Sequence, residues 1–281
     1  MPKATAPSPK VRIGSATFAN DRPLVFVAGL CVLESPELLG RVARELRRIF
    51  FEARASWVLK CSFDKANRSA LGSFRGPGLA SALEVFARLK RELRVPMITD
   101  IHEPSQAAPA AKVVDALQIP AFLCRQTDLL VAAGRTGKPV NIKKGQFMSP
   151  WDMGNAVAKV LSTGNRSVLL TERGASFGYA NLVVDMRSLK IMARTGCPVI
   201  FDATHSCQLP GALGNETGGQ PEFVPVLSRA AAAVGVAGVF LETHPVPRRA
   251  LSDGANALPL RELPRFVRSL LSIDRIAKRL P

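Results

Sequence analysis

The sequence is poor in what several function classes require. Aromatic residues make up only 6% of its 281 residues, which leaves few rings on which nucleic-acid bases could stack. No apolar run approaches the roughly 20 residues that span a bilayer, so no membrane association is predicted. The stretch Met1–Lys10 is rich in Pro, Ala and Lys and has no apolar core, so it does not read as a secretory signal. Five cysteines, at 31, 61, 124, 197 and 207, are scattered without Cys-x-x-Cys spacing. An odd, dispersed set without an export signal predicts reduced thiols and a cytoplasmic location. No Gly-rich dinucleotide fingerprint follows the first apolar run, no internal repeat is visible, and no linker is long enough to divide the chain. Acidic residues are also scarce: 22 Asp and Glu stand against 38 Lys and Arg, a formal charge of +16. Such an excess keeps a nucleic-acid binder in view. The cations are spread along predicted helices, however, as in Arg41-Arg44-Arg47-Arg48 and Arg261-Arg265-Arg268. A solvated arginine-rich surface accounts for them, and no nucleic-acid partner is predicted.

What is present is a large apolar fraction, 47%, in a chain long enough to bury roughly three quarters of its unfolded surface. After a short apolar–polar alternation near Val11–Phe18, eight apolar runs alternate with segments of helical period. The runs are Leu24–Ala28, Trp57–Cys61, Met97–Ile101, Ala116–Ile119, Val140–Lys143, Val168–Thr171, Val199–Asp202 and Val239–Glu242. The clearest helical segments are Pro36–Ala53, Leu79–Leu93 and Pro150–Leu161. Pro23, Pro96, Pro139 and Pro198 introduce four of the runs, a position proline tolerates at strand entry. Continuous apolar strands alternating with helices predict a parallel sheet buried on both faces, and eight strands close a barrel. The predicted fold is therefore α/β, a (β/α)8 TIM barrel over residues 11–281 with a short N-terminal β-hairpin, behind a flexible tail at 1–10. An open doubly wound sheet is the alternative.

Chemically capable residues sit at or just past the end of each run: Cys31 and Glu34; Lys60; Asp100 and His102; Gln118; Lys143; Glu172 and Arg173; Asp202 and His205; Glu242 and His244. In a barrel these ends converge on one face, which predicts an enzyme. The loop after the second run adds Lys65, Arg68 and Arg75 among Ser62, Asn67 and Ser69. Lys60, Lys65, Arg68, Lys143 and Arg173 are cations suited to phosphorylated or carboxylated substrates. Cys31, His205, Glu242 and Asp253 offer a thiolate, an imidazole and two carboxylates, a donor set that suits one divalent ion such as Fe, Mn, Co or Zn.

Longer blocks resemble a known family. They include Ser62-Phe63-Asp64-Lys65-Ala66-Asn67-Arg68-Ser69, Arg75-Gly76-Pro77-Gly78, Thr99-Asp100-Ile101-His102-Glu103-Pro104, Pro120-Ala121-Phe122-Leu123-Cys124-Arg125-Gln126-Thr127-Asp128 and Arg173-Gly174-Ala175-Ser176-Phe177-Gly178-Tyr179. With them the chain resembles the 3-deoxy-D-manno-octulosonate 8-phosphate synthases from about Asn20 to Leu270. The resemblance implies condensation of phosphoenolpyruvate with D-arabinose 5-phosphate and water, with release of phosphate, in lipopolysaccharide sugar synthesis. It implies that Lys60, Lys65, Lys143 and Arg173 hold phosphoenolpyruvate, with Ser62, Gln118 and the backbone at Ala121 close by. Asn67, Arg68, Ser69 and Asp100 would hold the pentose phosphate, and Arg125 would reach in from a neighbouring subunit of a homotetramer. His205 and Asp253 would also serve the chemistry directly.

The family has metal-dependent and metal-free branches. Cys31, in place of the asparagine of the metal-free branch, and Ser252-Asp253-Gly254 lean to the metal-dependent one. Ala257 resembles the metal-free branch, and Gly218-Gly219-Gln220-Pro221 lacks the basic residue many relatives carry after the glycines. Heptulosonate 7-phosphate synthases, which use erythrose 4-phosphate, share the barrel but lack the Ala-Asn-Arg-Ser loop; their reaction is the alternative.

Overall fold

The computed structural model describes residues 6–68, 70–212 and 217–280. The chain opens with an antiparallel hairpin, β1 (Val11–Ile13) and β2 (Ala16–Phe18). The βα units then follow: β3 (Val25–Val32), α1 (Pro36–Glu52), β4 (Trp57–Ser62), α2 (Leu79–Leu93), β5 (Met97–Asp100), α3 (Pro104–Ala111), β6 (Ala116–Ile119), α4 (Thr127–Arg135), β7 (Val140–Lys143), α5 (Met153–Leu161) and β8 (Val168–Glu172). A small ribbon, β9 (Ala175–Ser176) with β10 (Leu182–Val183), precedes α6 (Arg187–Ala193) and β11 (Val199–Asp202). The ribbon β12 (Gln208–Leu209) with β13 (Gly218–Gly219), α7 (Val224–Val234), β14 (Gly238–His244), β15 (Leu258–Pro259) and α8 (Leu263–Ala277) complete the chain.

Eight strands pair in parallel in the order β11-β8-β7-β6-β5-β4-β3-β14, and the pairing of β11 with β14 closes the cylinder. This is the predicted (β/α)8 barrel with its hairpin. The strand alternation sorts residues between the two sides of the wall. Phe26, Ala28, Leu59, Leu117, Ile142, Leu170, Phe201 and Leu241 face the helices in one core. Val25, Val27, Val58, Ile98, Ala116, Leu169, Ile200 and Phe240 face the lumen in a second, together with Val11, Ile13, Ala16 and Phe18 of the hairpin. The hairpin therefore seals the barrel's N-terminal end. Gly238 makes room for it, since a Cβ there would lie 2.9 Å from both the Phe18 ring and the Val25 carbonyl.

Two residues further along six of the strands the lumen turns polar, at Lys60, Asp100, Gln118, Thr171, Asp202 and Glu242, and Lys143 of β7 joins them; all seven are buried. The hydrophobic bottom and polar top of one cylinder are thus a consequence of period-two alternation with a change of residue type. Predicted strands and observed ones differ at their ends. β3 and β14 run to Val32 and His244, so Cys31 lies inside a strand rather than after it. The first three residues of the predicted helix from Pro150 form a 3-10 turn before α5. Of the expected tail, residues 1–5 lie outside the described ones, while Ser8 donates its backbone N–H to the Arg166 carbonyl at 2.8 Å.

Candidate active site

A cavity of about 330 Å³ opens at the C-terminal ends of the strands. Lys65, Asn67, Arg68, Asp100, Gln118, Ala121, Lys143, Arg173, His205 and Asp253, all singled out in the sequence, line it. They come from the C-terminal ends of seven barrel strands, β4 to β8, β11 and β14, or from the loops that follow them, up to 188 positions apart between Lys65 and Asp253. Arg125 is exposed and lies outside this cavity. Ser69 lies outside the described residues. Ser62 is fully buried and its Oγ has no hydrogen-bond partner among the described residues.

Lys60 does not line the cavity. Its ammonium, 1% exposed, donates to Glu242 Oε1 and to the Cys31 carbonyl, each at 2.7 Å. The backbone explains the placement. Gly29 of β3 pairs with Lys60 of β4, and a register shift between Gly29 and Val32 forms a bulge, a device that re-aims side chains. Only glycine fits, because a Cβ at position 29 would lie 1.9 Å from the Lys60 carbonyl oxygen.

The bulge brings Cys31 to Glu242 and Asp253, and one ligand atom of each lies within 4.8 Å of the others. Cys31 Sγ is 3.1 Å from Asp253 Oδ2. His205 adjoins this group, with Nε2 3.5 Å from Glu242 Oε2. Its Nδ1 meets Asp202 at 2.9 Å, which turns the other nitrogen toward the cluster, as second-shell carboxylates do for ligating histidines. A soft sulfur, two carboxylates and an imidazole fit a borderline divalent cation.

Burial dominates the electrostatics. It pushes the Cys31 thiol well up, assisted by Glu242, so that without a bound cation the thiol keeps its proton. Burial would also raise Glu242, but Lys60, His205, Lys65 and Lys143 outweigh it and hold the carboxylate well below its ordinary range. Asp202 is likewise depressed, burial being overcome by His205 and Lys143. Burial lowers Lys143 and Arg173 despite their acidic neighbours. Lys143 meets Asp202 Oδ2 at 2.6 Å and stands 3.7 Å over the Phe240 ring.

Several polar atoms are buried without a partner among the described residues: Arg173 Nη1, Arg68 Nε, His102 Nδ1, Asp100 Oδ1 and Gln146 Oε1. All five residues line the cavity. Leaving a buried polar group unsatisfied costs about 1–3 kcal/mol, so their concentration here marks a binding surface for a polar ligand. Sequence reasoning missed Gln146, Gln208 and Arg248, which carry no local signal. Gln208 bridges the site, accepting from Arg173 Nη2 and donating to Asp253 Oδ1 at 2.9 Å. Arg68 donates to Ser252 Oγ at 2.7 Å, next to Cys31 and Asp253. Glu172, read as a strand-end group, faces outward against α6 through Ser188.

Similarity to known proteins runs along nearly the whole chain. The chain is 58% identical to a 2-dehydro-3-deoxyphosphooctonate aldolase of Nitrobacter winogradskyi over 279 residues, 99% of this chain and 97% of the relative. It is 57% identical to the protein of the same name from Rhodopseudomonas palustris, over 100% of this chain and 98% of the relative. For that of Syntrophotalea carbinolica the identity is 55%, over 95% and 97%. The profile of the DAHP synthetase I family matches residues 6–279. With a matching profile along nearly its whole length, the chain belongs to the DAHP synthetase I family.

Proposed function

We propose that the chain condenses phosphoenolpyruvate with D-arabinose 5-phosphate and water, giving 3-deoxy-D-manno-octulosonate 8-phosphate and inorganic phosphate for lipopolysaccharide sugar synthesis. The observation that carries this reading is the cation-lined cavity with its orphaned donors at the barrel mouth. Two phosphates and a carboxylate repel one another, and only a cluster of fixed cations in a water-poor site offsets that repulsion. The relatives' name, 2-dehydro-3-deoxyphosphooctonate aldolase, favours this product over the heptulosonate made with erythrose 4-phosphate.

In the reaction C3 of the enol attacks the aldehyde carbon while water adds at C2. The tetrahedral intermediate then expels phosphate by breaking its bond to C2. Lys65, Lys143 and Arg173 bind the phosphoenolpyruvate anion and stabilise the charge that collects on the departing phosphate. Gln118 and the backbone at Ala121 border them. Asn67, Arg68 and Asp100, with Ser69, orient the pentose phosphate so that its aldehyde faces the enol. Arg125 would complete that site from a neighbouring copy in a homotetramer. Lys60 acts through Glu242, neutralising a carboxylate that would otherwise repel the substrates. Cys31, His205, Glu242 and Asp253 would hold one divalent ion, which when bound supplies Lewis-acid polarisation of a carbonyl or water. No helix among the described residues is long and apolar enough to cross a membrane, and the reaction, with water-soluble reactants, is assigned to the cytoplasm.

Phosphate release with phosphoenolpyruvate and either aldose phosphate, before and after chelation and metal add-back, tests the reading. Turnover with arabinose 5-phosphate is expected. Turnover with erythrose 4-phosphate alone, or none with either after metal add-back, would overturn it.

A further inference from the structure

Two charged residues stand on the outer side of the barrel wall, directly behind the two cations that close the top of β7 and β8. Lys144 follows Lys143, and Glu172 precedes Arg173. By strand alternation Lys143 and Arg173 point into the cavity while Lys144 and Glu172 point away from it. The outward pair is almost fully sealed, 2% exposed at Lys144 and 0% at Glu172, with Nζ 3.4 Å from Glu172 Oε1. Lys144 Nζ also donates to the Gly174 carbonyl at 3.1 Å, to that of Gly145 at 3.3 Å and to that of Met148 at 3.4 Å. Glu172 Oε1 accepts the backbone N–H of Arg173 at 3.0 Å and of Gly174 at 2.6 Å, and Oε2 accepts from Ser188 Oγ of α6 at 2.7 Å. Every contact of this pair thus lands on the backbone that carries Lys143 or Arg173, on the loop after them, or on the helix behind.

We infer that Lys144 and Glu172 are positioning residues, a buried staple that sets the spacing of the Lys143 and Arg173 charges for the phosphoenolpyruvate anion. This deepens the proposed function and rests on those two cations binding that substrate. Stability alone is a poor reason for such a pair, because replacing a buried ion pair by packed apolar residues is often neutral or stabilising. Geometry is a better one. Five of the pair's six hydrogen bonds hold backbone just past the ends of β7 and β8, one of them at the Arg173 N–H itself, and the sixth ties Glu172 to α6. A misplacement of about 1 Å at a positioned group can lower reactivity on the order of 100-fold.

The test uses Lys144→Met and Glu172→Gln in the full-length, metal-replete enzyme, with melting temperature, both KM values and kcat measured on each. The expected result is a phosphoenolpyruvate KM raised roughly 10- to 100-fold or a comparable loss of kcat, an arabinose 5-phosphate KM within about twofold, and partial rescue by Lys144→Arg. Calorimetry with phosphoenolpyruvate alone should show the same loss of affinity. A lower melting temperature with unchanged phosphoenolpyruvate affinity, or an equal rise in both KM values, overturns the inference and leaves a structural pair. If Lys144→Met does not fold, Glu172→Gln decides, because glutamine can still accept both backbone N–H groups through Oε1 while losing the charge that faces Lys144 and the Oε2 acceptor that Ser188 uses. Lys143→Ala and Arg173→Ala serve as reference arms. If these leave phosphoenolpyruvate affinity intact, the substrate reading itself fails and takes the inference with it; if they weaken it and the staple variants do not, only the staple fails.

Discussion

Removing the Lys60 ammonium tests how the barrel tolerates Glu242. In Lys60→Met the apolar stem is kept, so no large cavity forms, but Glu242 Oε1 loses a partner at 2.7 Å and the Cys31 carbonyl loses its donor. At an effective dielectric of about 20 the lost attraction is roughly 6 kcal/mol before the desolvation of Lys60 is credited back. Lys65 stays 3.7 Å from the same oxygen, and His205 stays 3.5 Å from the other. Both soften the loss, so the net cost falls near the low end of the range for breaking a buried pair, about 3 kcal/mol. At about 2–4 °C per kcal/mol for a chain of this size class, the melting temperature should drop by roughly 6–12 °C. Circular-dichroism melts of chelated protein measure it. A companion Glu242→Gln variant should recover part of the loss in the double mutant, since no uncompensated charge then remains. A drop below about 2 °C, or additive losses in the double mutant, would refute the argument that Lys60 exists to neutralise Glu242.

Cys31→Ala should lower bound metal, read by elemental analysis after dialysis, together with chelator-sensitive turnover; unchanged metal content removes Cys31 from the ligand set. Arg68→Ala should raise the arabinose 5-phosphate KM more than the phosphoenolpyruvate KM, and equal effects contradict its assignment. Burial would raise the Asp100 carboxyl, but the His102 hydrogen bond with Lys65 and Lys60 outweighs it and depresses the group below 3.8. Asp100 therefore stabilises the fold above the ordinary carboxylate range, and that contribution is lost as pH falls below about 4. Asp100→Asn should flatten the acid limb of stability against pH, measured by urea midpoints, and an unaltered limb would discount the pairing. Burial pushes Cys61 and Cys207 up to about 12 and Cys197 to about 11. Alkylation at pH 8 should be slow in the native protein and reach all five cysteines on unfolding; fast native modification of these three would mean the wall opens.

Strand positions were legible because each strand is a run of apolar residues with its own local period. β6, β7 and β11 match their predicted bounds in full. The cations of the site were legible for the same reason, since they stand where an apolar run stops. The Ser62–Ser69 block carries the family resemblance by residue identity alone. Gln146, Gln208 and Arg248 were not legible, because they lie in loops whose path depends on what they pack against. Lys144 and Glu172 were hidden in a different way. By position Glu172 resembles the other strand-end groups, but the pleat turns it to the helix side.

By itself, then, the sequence determined the number of barrel strands, the class of barrel and the supply of cations, thiol and carboxylates, all properties of short windows of chain. The tertiary structure decided which of these groups meet. Closing the sheet between β11 and β14 set β14 beside β3, and a bulge at Gly29 moved Cys31 within reach of Glu242 and Asp253, more than two hundred residues away. Local periodicity cannot express that meeting, because it depends on how the two ends of a cylinder join.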